Sequence, residues 1–117
     1  EIFVFPNLMI LPQAGNAMIY RVRPVGFDPH RCTFEILSTR TLPASEAPQR
    51  TEVQQVTDIK DPAQVLRIPR QDLENISRMQ RGLRTAGCRQ VWLAETEEKI
   101  ILNMHQALDR YLGAAAN

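Results

Sequence analysis

The chain has 117 residues, a formal charge of +1 from 14 Lys/Arg and 13 Asp/Glu, and 44% apolar residues. That is enough for one small domain with a core of its own, and it sets the chain apart from disordered sequences. The interleaved charges and 6% aromatic content give no basic face for nucleic acid, and no apolar run reaches the roughly 18 residues of a membrane span.

The sequence opens on the apolar run Ile2-Phe3-Val4-Phe5, with no initiator Met and no signal-type segment, which reads as a piece of a longer polypeptide. Residues 2–11 read as one strand, with Pro6 marking an edge position or a bulge. Residues 12–16 form a turn by composition. Residues 17–23 alternate, with Met18, Tyr20 and Val22 on one side and Ile19, Arg21 and Arg23 on the other; Pro24 ends the run. Residues 26–31 read as a hairpin loop. Residues 32–39 alternate again, with Cys32, Phe34 and Ile36 facing one way and Thr33, Glu35 and Thr39 the other. Three strands joined by short turns make an antiparallel meander.

Residues 42–58 read as a surface crossover. Asp61-Pro62 has the form of a helix start, with a short helical turn through Leu66. Pro69 opens a second helix that ends near Arg84, before Gly87. A last helix over residues 96–112 stops at Gly113; its apolar positions are Ile100, Ile101, Met104, Leu108, Tyr111 and Leu112. Glu97 and Glu98 in its first turn and Arg110 in its last suit the helix macrodipole. Cys32 and Cys88 lack metal-type spacing. Cys32 fits the inward side of a strand, and two free thiols suit a reducing cytoplasm. The expected fold class is α+β: a single domain over residues 1–117, in which an antiparallel sheet of about three strands is covered by C-terminal helices.

The helix after Pro69 carries the most telling pattern. Asp72 lies four, seven and eleven residues before Ile76, Met79 and Leu83. At about 100° per residue these offsets return to within roughly 40° of one direction. Asp72 thus continues the apolar stripe. A carboxylate on a covered stripe must be hydrogen-bonded, paired or bound to a metal. Helix capping is the simpler role for an Asp near a helix start.

Asp72-Leu73-Glu74-Asn75 followed by Gln80-Arg81-Gly82-Leu83 resembles the iron-ligand helix of Rieske-type aromatic-ring-hydroxylating dioxygenase large (alpha) subunits. The likeness extends to Phe5-Pro6-Asn7 and to the ending Glu98-Lys99-Ile100-Ile101-Leu102-Asn103-Met104-His105, continued by Leu108-Asp109-Arg110-Tyr111-Leu112. Each motif is weak alone; their order along nearly the whole chain is fairly specific. The resemblance implies the C-terminal portion of a helix-grip (Bet v 1-like, START-like) catalytic domain. It implies an oxygenase that activates dioxygen at mononuclear non-haem Fe(II), fed through a Rieske [2Fe-2S] cluster by ferredoxin and reductase, and used in aromatic hydrocarbon catabolism.

By that resemblance Asp72 is the carboxylate of a two-His, one-carboxylate site. Asn7 and Met9 line the pocket for the aromatic substrate, or are ordinary strand residues. Glu74, Asn75 and Gln80 orient the ligand, or face solvent. The family's closely spaced His pair and its Rieske Cys and His ligands lie outside this chain. His30 sits in a turn, and His105 stands four residues before Asp109, where a structural contact is possible. The isolated chain is therefore expected to bind no cofactor and to be inactive, while the intact enzyme is oligomeric. The alternative is a shortened helix-grip module that binds an apolar ligand or protein partner without redox chemistry. As a fragment, the chain is also expected to self-associate, as a two-fold dimer through residues 2–11 or the pocket face.

Overall fold

The computed structural model describes residues 1–85, 87 and 90–113. Cys88 and residues 114–116 lie outside the described residues. The chain forms two compact units, Glu1–Pro48 with the segment from Leu93 onward, and Gln49–Trp92.

The first unit is built on a four-stranded antiparallel sheet in the order β1-β2-β3-β4: β1 is Ile2–Val4, β2 Leu8–Gln13, β3 Asn16–Val25 and β4 Asp28–Arg40. The expected single strand over residues 2–11 is two strands. The chain reverses at Phe5-Pro6-Asn7, where the Phe5–Pro6 peptide is cis, so β1 pairs with β2 through Ile2–Ile10, Phe3–Met9 and Val4–Leu8. Pro6 therefore marks a chain reversal. Along β3 and β4, nine consecutive pairs run from Asn16–Arg40 to Pro24–Cys32. They put Tyr20 opposite Ile36, Val22 opposite Phe34 and Arg21 opposite Glu35, the two faces expected from alternation.

The hairpin between β3 and β4 is tighter than its composition implied. Its loop is Gly26-Phe27 alone, with Gly26 at φ 59°, a left-handed value that glycine adopts without steric cost. Pro24 lies inside β3 for a geometric reason. The Val22 N–H donates to the Asn7 carbonyl at 3.1 Å on the β2 side. Backbone direction repeats every second residue, so Pro24 faces the same side, beyond the end of β2, where a missing N–H costs no rung. Past Val22 the hairpin is thus a two-stranded overhang. That is why Cys32, expected to face inward, is exposed, and why Phe27 is fully exposed at the tip.

Glu35 ties β3 to β4. It accepts from Arg21 Nε at 2.5 Å and from Arg23 Nη2 at 2.6 Å. On the opposite face the Tyr20 and Phe34 rings meet diagonally, with centroids 5.4 Å apart.

The unit closes with α1, Lys99–Tyr111, shorter than the expected 96–112. Its cap residue Glu98 turns its carboxylate back onto the Ala94 N–H at 2.5 Å, and residues 95–98 form a turn ahead of the helix. The helix ends as expected: Leu112 N–H returns to the Leu108 carbonyl, and Gly113 takes φ 68°. Ile100, Ile101, Met104 and Ala107 are half-buried. The Tyr111 ring lies 5.6 Å from that of Phe5, which docks the helix end on the β1–β2 turn. The fold class is therefore α+β, as expected.

The second unit contains one helix among the described residues, Arg67–Leu83, labelled α2. The expected helical turn after Asp61 is present as a single turn: the Gln64 and Val65 N–H groups both donate to the Asp61 carbonyl at 3.1 Å. Asp61 accepts the Ala63 N–H at 2.9 Å and the Gln64 side-chain amide at 3.0 Å, and Gln64 Oε1 accepts the Thr57 N–H at 2.9 Å. The bond to the Ala63 N–H makes Asp61 the cap of that single turn, as its place before Pro62 implied. Pro69 is the third helical residue, where its absent N–H is one the helix start leaves unpaired anyway. Val65 and Pro69 are the only buried residues among those described, so the core is much smaller than composition allowed. No helix among the described residues is long and apolar enough to cross a membrane.

The Arg21 hydrogen bond, more than any other contact, holds the Glu35 carboxyl below its ordinary range; Arg23 adds to this and burial opposes it. A carboxyl with a lowered folded pKa stabilises the fold above its unfolded pKa, about 4.3, and that contribution is lost as pH falls through the folded value. The stability gap between wild type and Glu35→Gln, read by urea unfolding, should therefore be present at pH 7 and shrink below about pH 4. A gap that does not change with pH would contradict this.

Candidate functional site

Asp72 stands in the second turn of α2 and is exposed. It shares its stripe with Ile76, Met79 and Leu83, as the spacing implied, but these are 45%, 58% and 49% exposed. The covered stripe of the helix is a different one, running through Pro69, Arg70, Leu73 and Glu74. Arg70, on the covered stripe, reaches back to the Lys60 carbonyl at 3.5 Å, and Val65 and Pro69 are buried at this end of the helix. The expectation of a covered Asp72 is corrected accordingly.

The residues around it divide by direction. Glu74 is half-buried and reaches Arg78 one turn on, at 3.8 Å. Asn75 and Gln80 are exposed. His105 is exposed on α1. His30, expected in a turn, is in β4, and its N–H donates to Asp28 Oδ1 at 2.9 Å. Among the described residues no three His, Cys, Asp or Glu side chains converge as a metal site would require. The facial arrangement that holds mononuclear iron needs two imidazoles beside the carboxylate. The described residues supply the carboxylate alone and do not by themselves fit the metal.

Asn7 and Met9 belong to the first unit. The Asn7 side-chain amide donates to the Val22 carbonyl at 2.7 Å, while its own carbonyl accepts the Val22 N–H at 3.1 Å. Side chain and backbone together make a closed pair at the end of the β2–β3 ladder. Sequence reading missed this use of the amide. Its only signal is an Asn directly after a Pro-containing turn, where a side-chain amide readily substitutes for a backbone group. Met9 lies between Phe3 and Tyr20 on one sheet face and is half-buried. A cleft of about 330 Å³ opens between β1 and α1, lined by Phe3, Phe5, Ile100, Asn103, Met104 and Ala107, among others. Neither Asn7 nor Met9 lines it.

Residues 1–114 match the family model of the ring hydroxylating alpha subunit (catalytic domain). The chain belongs to that family. The match runs from the Phe5-Pro6-Asn7 turn through the Asp72 helix to the Tyr111 end of α1, and the intact protein is accordingly a ring-hydroxylating oxygenase, an oxidoreductase. Comparison with curated proteins and with solved structures finds no match.

Removing the Asn7 amide should open the end of the ladder. Asn7→Ala loses one hydrogen bond to a half-buried carbonyl and should cost about 1 kcal/mol in urea unfolding. A cost near zero would show that the amide bond adds nothing to the fold.

Proposed function

We propose that residues 1–117 are the C-terminal portion of one catalytic domain of an aromatic-ring-hydroxylating dioxygenase, with Asp72 as its carboxylate ligand to mononuclear iron. The observation that supports this reading is the family match over residues 1–114; the choice of Asp72 rests on the resemblance of its helix to the family's iron-ligand helix. The other two ligands would be a histidine pair from outside these residues. Bound iron would supply dioxygen activation, with electrons arriving from ferredoxin and reductase through a Rieske [2Fe-2S] cluster.

The chain's own residues have positioning roles in this proposal. Asp72 offers a carboxylate from a helix, which fixes its direction better than a loop would. Asn75 and Gln80, exposed on the same helix, would orient the ligand carboxylate in the assembled site, while Glu74 lies 3.8 Å from Arg78. Asn7 holds the turn that presents Phe5, while Met9 offers an apolar surface to an aromatic substrate. The intact enzyme would be cytoplasmic, oligomeric and devoted to aromatic catabolism. The exposure of Asp72 and the absence of converging donors among the described residues favour a second reading for the isolated chain: an apolar-ligand module without redox chemistry.

Elemental analysis and turnover test the proposal. The intact polypeptide containing these residues should hold mononuclear iron and convert an aromatic hydrocarbon to its hydroxylated product with an electron donor. The 117-residue chain alone should hold far less than one iron per chain and form no product. Stoichiometric iron together with product from the chain alone would overturn this assignment.

A further inference from the structure

Phe5 stands where three features of the first unit meet. Its backbone lies between the last β1–β2 pair, Val4–Leu8, and Asn7, whose two hydrogen bonds to Val22 fix the chain just before β2. Its side chain lines the cleft between β1 and α1, with Phe3 and Met104. Its ring lies 5.6 Å from that of Tyr111 and is tilted by 52° to it, a favoured aromatic arrangement. Among the described residues this is the only ring contact between the sheet and the helix. The sheet therefore holds the backbone on both sides of Phe5, while the direction of its ring is set by what packs on it.

Tyr111 is suited to set that direction. Its own place is fixed by the end of α1, where the Leu112 N–H returns to the Leu108 carbonyl and Gly113 stops the helix. Tyr111 is 79% exposed, so it adds little to the core, and its truncation would leave no enclosed cavity. We propose that Tyr111 is a positioning residue of the oxygenase: its ring braces the Phe5 ring, and so shapes the wall that Phe5 offers to the aromatic substrate. The inference rests on the reading that the Phe5-Pro6-Asn7 segment faces that substrate. Its reach is limited to the Phe5 side chain, because Asn7 is held independently by Val22. Tyr111 thus acts on how firmly, and in which orientation, the substrate ring is held.

Steady-state kinetics of the intact oxygenase with its electron donors test this, on whichever of toluene, naphthalene and biphenyl the wild type oxidises fastest. Tyr111→Leu should raise KM about three- to tenfold, the range set by the strength of an aromatic pair, and spread the product over more ring positions. The kcat and the circular dichroism spectrum should stay unchanged. Tyr111→Phe, which keeps the ring, should restore the wild-type KM. Phe5→Ala should itself raise KM, and Tyr111→Leu should add nothing in that background, because its effect runs through Phe5. If Phe5→Ala leaves KM and product positions unchanged, or the wild type oxidises none of the three hydrocarbons, the reading of the segment fails and takes the inference with it. If Phe5→Ala changes them, the inference alone is overturned by any of three results: Tyr111→Leu has no effect, it keeps its full effect without the Phe5 ring, or Tyr111→Phe fails to restore KM. A Tyr111→Leu enzyme with altered circular dichroism would mark a structural role and overturn it as well.

Discussion

The register of β3 against β4 is the constraint on which the first unit depends. A side chain alternates faces along a strand, so a slip of one residue would exchange the aromatic face for the charged one. Arg21 and Arg23, two residues apart on one face, both reach Glu35, and Tyr20 meets Phe34 on the other. Only one register satisfies both. With β3 fixed, β2 is held at its end by the two hydrogen bonds between Asn7 and Val22, and the turn at Phe5-Pro6-Asn7 carries the Phe5 ring to Tyr111. The final helix is thus anchored through a chain of contacts that begins at the Arg21–Glu35 pair.

Much of this was legible in the sequence because it rests on local periodicity. The alternation of residues 17–23 and 32–39 set the faces correctly, and Gly113 marked the end of the last helix. The misreadings share one cause: proline and turn residues were interpreted without knowing where the neighbouring strand stops. By composition Pro24 ends a strand and Asp28-Pro29 forms a loop, yet both prolines lie in strands. Pro24 is tolerated because β2 ends before it. Residues 2–11 were read as one strand because a run of apolar residues does not by itself show a reversal at Pro6.

The site was legible in part. The stripe through Asp72, Ile76, Met79 and Leu83 exists as spacing implies, but spacing cannot tell which stripe of a helix will be covered. In the second unit the covered stripe carries Arg70, which reaches back to the Lys60 carbonyl, at the end of the helix where Val65 and Pro69 are buried. The resemblance to the family's iron-ligand helix offers what periodicity cannot, a proposed reason for a carboxylate on an apolar stripe. Of this exposed stripe, Asp72 alone is the residue the proposed iron centre would use.

The most direct test of that account is the iron content of the intact oxygenase with Asp72→Ala. Mononuclear iron should be lost and hydroxylation abolished, while the absorption of the Rieske cluster and the circular dichroism spectrum stay unchanged. Retention of both the mononuclear iron and product formation would contradict the assignment of Asp72 as its ligand.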